Sequence, residues 1–154
     1  VIWALINLGT TARYRGDHAG ARLLLSQSLD LCEELSFREG VAWTLNQLGV
    51  VARLRGETER ALALQLASLT EHHKLGDRWR EASVRDELAA LAMQRGDAPE
   101  AARQLASADR LRAEIQAPVP AAERADREQT VEAAQLALGA TYDLAALTAG
   151  LNSS

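Results

Sequence analysis

Apolar residues recur along this chain with the spacing of helices rather than of strands. Leu45, Leu48, Gly49 and Ala52 fall at i, i+3, i+4 and i+7 and so share one helical stripe. Ala61, Leu64, Ser68 and Leu75 continue a second helix after a break at Gly56. A glycine suits the left-handed residue that closes a helix, and Arg53 and Arg55 stand at the carbonyl end, where cations suit the dipole. Gly76-Asp77 turns the chain again. Farther on, Asp97 with Glu100 forms a capping box, and Pro99 lies in the first helical turn, where proline is tolerated. The pattern predicts helices over 2–15, 18–35, 39–55, 58–75, 79–95 and 98–115. Pro118 and Pro120 break the sixth, and a seventh over 121–138 is stopped by Gly139. Its Val131, Ala134 and Leu138 oppose Glu128, Glu132 and Gln135, the two-faced character that an end cap needs.

These stripes repeat. Residues 1–40 laid over 41–80 without a gap are identical at fifteen positions, among them Trp3/Trp43, Leu8/Leu48, Gly9/Gly49 and Ser28/Ser68. Leu88, Ala92, Arg95, Gly96 and Ala101 carry the same register into 81–120. A fixed period of forty means stacked helix pairs, none able to bury its apolar face alone. Gly9, Gly49, Ala21, Ala61 and Ala101 are expected where the helices of a pair cross, because no large side chain fits between close backbones. Leu8 is expected to pack inward beside Gly9.

The order Leu48-Gly49-x-x-Ala52, then Gly56, then Ala61, resembles the tetratricopeptide repeat. The period of forty resembles the longer-helix variant of bacterial signal-transduction ATPases and LuxR-type transcriptional activators, and the likeness covers about 1–117. The run from Arg110 to Arg124 through Pro118-Val-Pro120, followed by Ala137-Leu-Gly139, is similar to the C-terminal segment of the same regulators. Tyr142–Gly150 departs from the aromatic, glycine-containing stretch that usually follows there. The resemblance implies an all-α fold, a right-handed α-α superhelix (a tetratricopeptide solenoid) of three helical hairpins at 1–38, 39–78 and 79–117. A Pro loop and capping helix follow over 118–139, then a short helix and frayed tail over 140–154.

Composition agrees. Thirty alanines against six aromatics suit closely packed helices, and β-branched residues are too few for sheets. A net charge of -4 argues against direct nucleic-acid binding, which needs a basic stripe. Of seventeen basic residues all but Lys74 are arginine, which with the alanine bias suggests a GC-rich bacterial genome. Cys32 stands alone, so no disulfide framework exists and a cytoplasmic setting is expected. No apolar run reaches the ~20 residues of a membrane span, so no membrane contact is expected. The chain opens at Val1 inside a helix already under way, as expected of a piece from the C-terminal end of a larger protein. Any ATPase, kinase or cyclase domain would then lie upstream.

Within the chain itself no enzyme is expected. His72 and His73 are adjacent and point about 100° apart, not the i, i+4 pair of helical zinc sites. With Cys32 one repeat before His72 they make no metal site, and surface histidines are the simpler expectation. No phosphate-binding glycine loop and no G-x-S-x-G elbow occurs, so no cofactor is expected. Glu33-Glu34 are neighbours on a solvated face.

The resemblance implies a groove lined by the first helix of each pair, where a protein or peptide ligand, or other domains of the parent protein, would lie. Its candidate residues are Trp3, Asn7, Thr10 and Arg13; Trp43, Asn46, Gln47, Val50 and Arg53; and Asp86 with Glu87. Amides such as Asn7, Asn46 and Gln47 pair with an extended backbone, and tryptophans make hot spots. Trp3 and Trp43 equally fit as wedges between hairpins. A carboxylate clamp is not expected, since the groove positions offer no lysine and turn acidic at Asp86 and Glu87. The alternative is a structural scaffold, self-associating as a homodimer through repeat ends exposed at Ile2, Leu5 and Ile6.

Overall fold

The computed structural model describes residues 1–139, and among these every regular element is helical. The order is α1 (Ile2–Tyr14), α2 (His18–Glu34), α3 (Arg38–Leu54), α4 (Thr58–Leu75), α5 (Arg78–Gln94) and α6 (Ala98–Ile115). A 3-10 turn at Ala121–Glu123 then leads into α7 (Arg124–Leu138). The short helix and tail expected over 140–154 lie outside the described residues. The fold is thus all-α, with helices packing in succession. It forms two compact units, Val1–Gly76 and Asp77–Ser154. In the first, α1 packs on α2, α2 on α3 and α3 on α4, and α1 also touches α3. In the second, α5 packs on α6 and α7 lies against both.

Three first helices end in the same way. Gly56, at φ +76, donates its N–H to the carbonyl of Arg53 at 3.0 Å, and Glu57 donates to Ala52 at 2.9 Å. That pair of bonds satisfies the last carbonyls of α3 as a Schellman motif, and glycine bears the left-handed residue without a Cβ penalty. Gly16 and Gly96 repeat it, with Asp17 and Asp97 donating to Ala12 and Ala92. The next helices start on those acids: Asp17 accepts from Gly20 N–H at 2.8 Å and Asp97 from Glu100 N–H at 3.0 Å. Glu100 does not complete the expected capping box, because its carboxylate is taken by Arg103 and Gln104.

The first unit is centred on Ala21, Leu25, Leu48 and Val51, with Ala12, Leu29 and Leu64 against them. Small residues do stand where helices meet. A Cβ on Gly9 would lie 2.7 Å from Leu25 Cγ and 3.4 Å from the Ala21 carbonyl. Leu8, expected inward, is instead 56% exposed, whereas its repeat mate Leu48 is 5% exposed. The difference is physical: α2 covers the Leu48 face of α3, and no described helix precedes α1 to do the same. Ile6, expected at an exposed end, is buried, and Ile2 and Leu5 are half-buried.

The second unit gathers Ala89, Ala92, Ala101, Leu105 and Ala134, with Met93 and Val131 packed alongside. Val131 and Ala134 belong to α7, so its apolar stripe faces α5 and α6, while Glu128, Glu132 and Gln135 are exposed.

Candidate functional site

In the first unit the candidate residues stand on adjoining helices. α1 carries Trp3, Asn7, Thr10 and Arg13, and α3 carries Trp43, Asn46, Gln47, Val50 and Arg53. Asn7 is exposed; Thr10, Arg13, Trp43 and Arg53 are half-buried; Asn46, Gln47 and Val50 are buried.

The buried amides form a chain of hydrogen bonds across three helices. The Thr10 hydroxyl donates to Gln47 Oε1 at 3.3 Å, and Gln47 Nε2 donates to Asn46 Oδ1 at 3.0 Å. Asn46 Nδ2 donates to Gln65 Oε1 at 3.0 Å, and Gln65 Nε2 returns to the Asn46 carbonyl at 3.0 Å. Gln65 is fully buried on α4. A buried amide without partners costs several kcal/mol, so these groups satisfy one another. Asn46 and Gln47 are thereby committed to holding α1, α3 and α4 together. A second polar set lies near: Ser28 pairs with Thr44 at 3.3 Å, and the Ser68 hydroxyl donates to the Ala42 carbonyl at 2.7 Å.

The aromatics stack on other side chains. Trp3 meets Phe37 edge-on at 5.8 Å and remains 41% exposed, and Trp43 meets His72 edge-on at 6.4 Å. His72 is fully buried, which corrects the expectation of a surface histidine; α3 covers it through Trp43. Arg13, half-buried, stacks over the exposed Tyr14 ring at 4.2 Å.

In the second unit, Asp86 is buried on α5 rather than presented to solvent. Arg112 from α6 donates to its Oδ2 at 2.6 Å, and Arg127 from α7 to its Oδ1 at 3.1 Å. Arg127 also donates to Asp109 at 2.5 Å, and the Ser83 hydroxyl donates to Glu123 at 2.8 Å. Burial pushes the Asp86 carboxyl up, against the pull of both guanidiniums. Burial also pushes Glu123 up, with the Ser83 hydroxyl opposing and nearby Asp86 adding to the rise. Burial works against the charge on Arg127, but Asp86 and Asp109 outweigh it and hold its pKa raised. Glu87, the neighbour of Asp86, is half-buried.

Sequence reasoning named Asp86 but missed Arg112, Arg127, Asp109 and Glu123. A signal existed: Arg112 is in forty-residue register with Cys32 and His72, so all three fill one buried position.

The first unit thus pairs helices across alanines and glycines and closes its first helices with Gly-acid turns. Residues 1–70 match the tetratricopeptide repeat family. That match spans α1, α2, α3 and most of α4. Among curated proteins none matches the chain. Tetratricopeptide repeats generally mediate protein–protein interaction and are generally non-catalytic. Among the described residues no group of three or more His, Cys, Asp or Glu could hold a metal ion, and no helix is long and apolar enough to cross a membrane.

Proposed function

We propose that the chain is a non-catalytic protein- or peptide-binding module of a larger bacterial signalling or transcription-regulatory protein, working in the cytoplasm. The observation that carries this reading is the α1–α3 face of the first unit, inside the tetratricopeptide match. There Asn7 is exposed, Arg13 and Arg53 are half-buried, and Thr10, Gln47 and Asn46 on the same two helices are locked together. A rigid floor lowers the ordering cost of binding, and two arginines suit an acidic side chain on an extended peptide. Peptides selected on the full chain from a display library test this. Arg13→Glu with Arg53→Glu is expected to weaken the selected peptides at least about tenfold, as for two charge-assisted contacts. Equal binding to the double variant, with its helical circular dichroism intact, removes the face from consideration.

Exposure of Leu8, midway along α1, supports a second reading, a scaffold that self-associates through the uncovered face of α1. Sedimentation of Leu8→Asp beside the unaltered chain separates the two. Concentration-dependent mass that the variant abolishes favours the scaffold.

A further inference from the structure

The contact that seats α7 on α5 and α6 is unlike the other helix contacts. On α2, the pair Ala21 and Leu25 receives Leu48 and Val51, two large apolar residues three apart on α3. On α6, the matching pair Ala101 and Leu105 receives Val131 and Ala134, also three apart, on α7. The knobs on α7 are smaller, Glu128 stands in register with Leu48, and Val131 is only partly buried. Ala134 is the one buried residue of α7. Leu136 points to solvent, 86% exposed.

Charge replaces the missing apolar area. Arg127, four residues before Val131 and so on the same helical face, reaches Asp86 on α5 and Asp109 on α6. At the start of the helix Glu123 takes the Ser83 hydroxyl. Beneath, Arg112 is 5% exposed, yet its Nε and Nη1 have no hydrogen-bond partner. A buried charge network costs desolvation that its pairing only partly returns, whereas large apolar knobs have no such cost. Few buried apolar contacts place a segment toward the low-stability end of local opening, and α7 buries Ala134 alone among its described residues.

We propose that α7 is a displaceable cap, and that the α5–α6 seat beneath it is a docking site for an amphipathic partner helix of the pattern Arg-x-x-x-Val-x-x-Ala. The occupant is defined by what is seated there: a basic side chain for Asp86 and Asp109, then a medium and a small apolar residue for the Ala89, Ala92, Ala101 and Leu105 floor. This seat is separate from the α1–α3 face, so either assignment can fail alone.

Hydrogen exchange on the full chain reads the cap. The α7 amides are expected to exchange faster than the central α6 amides. Arg127→Ala should speed α7 at least about tenfold while α6 stays unchanged. Exchange of α7 and α6 as one unit in both proteins overturns the cap. The seat is read with a labelled peptide of residues 121–138 added to full-length Val131→Asp, whose own α7 cannot seat. Saturable binding that Asp109→Asn weakens at least about threefold supports the site. If Val131→Asp loses helical structure beyond α7, the same titration uses Arg127→Ala. Absence of saturable binding to the folded variant overturns the site.

Discussion

Gly49→Ala puts the closeness of α3 and α4 to a quantitative test. An added Cβ would lie 2.5 Å from Gln65 Nε2, 2.8 Å from its Cδ and 3.0 Å from its Cγ. In an unconstrained helix the change favours folding by about 1 kcal/mol, because alanine is the better helix former. Here the amide must move, and Gln65 is fully buried with both its amide atoms bonded to Asn46. Two net hydrogen bonds contribute about 1 kcal/mol each, and orphaned buried partners raise the loss to about 1–3 kcal/mol apiece. Subtracting the helix-propensity gain leaves a destabilisation of about 3 kcal/mol. For a chain of this size that lowers Tm by about 6–12 °C. Thermal and urea unfolding followed by circular dichroism measure it. The decisive comparison is a Gln65→Ala background, where the amide is gone and Gly49→Ala should be neutral or stabilising by up to about 1 kcal/mol. Equal destabilisation in both backgrounds, or none in the unaltered chain, refutes the assigned packing.

Two further outcomes follow from the second unit. Arg112→Ala removes the 2.6 Å partner of buried Asp86 and should cost about 3 kcal/mol, read from the urea midpoint; a loss under about 1 kcal/mol contradicts the pairing. Glu123 has a raised pKa when folded, so its protonation favours the folded state. That contribution is fully present below the ordinary value of 4.5 and is lost as pH rises through the raised one. Glu123→Gln, which cannot ionise, should therefore gain Tm relative to the unaltered chain as pH rises from about 4.5 to 7. A difference that stays flat across that window counts against the assigned burial.

Much of this fold was legible because helix ends are local events. Gly16, Gly56 and Gly96 each precede an acid, and two bonds per turn convert that dipeptide into a boundary. Helix limits therefore match the expected ones to within one residue for α1 to α6. Ser36 and Gln116 show where such signals fade: both take left-handed backbone, at φ 54 and 53, in register with Gly76 but without glycine. The candidate face was less legible, because exposure is a property of neighbours. Asn46 and Gln47 have the polarity of binding residues, yet Gln65, nineteen positions from Asn46, turns them inward. Leu8 and Leu48 are chemically identical and differ only in whether a helix lies over them. Arg112 and Arg127 read as ordinary helix-surface arginines until α5 supplies Asp86.

The same registers decide which helices can pair. Leu25, Gln65 and Leu105 occupy one register, and Ile6, Asn46 and Asp86 occupy another. Each helix pair thus carries its own chemical key: aliphatic in the first, amide in the second, ionic in the third. Whole pairs would carry these keys with them, whereas exchanging single helices between pairs would strand an amide against leucine or a carboxylate without its guanidinium. Each helix here is matched to its own partner and to no other.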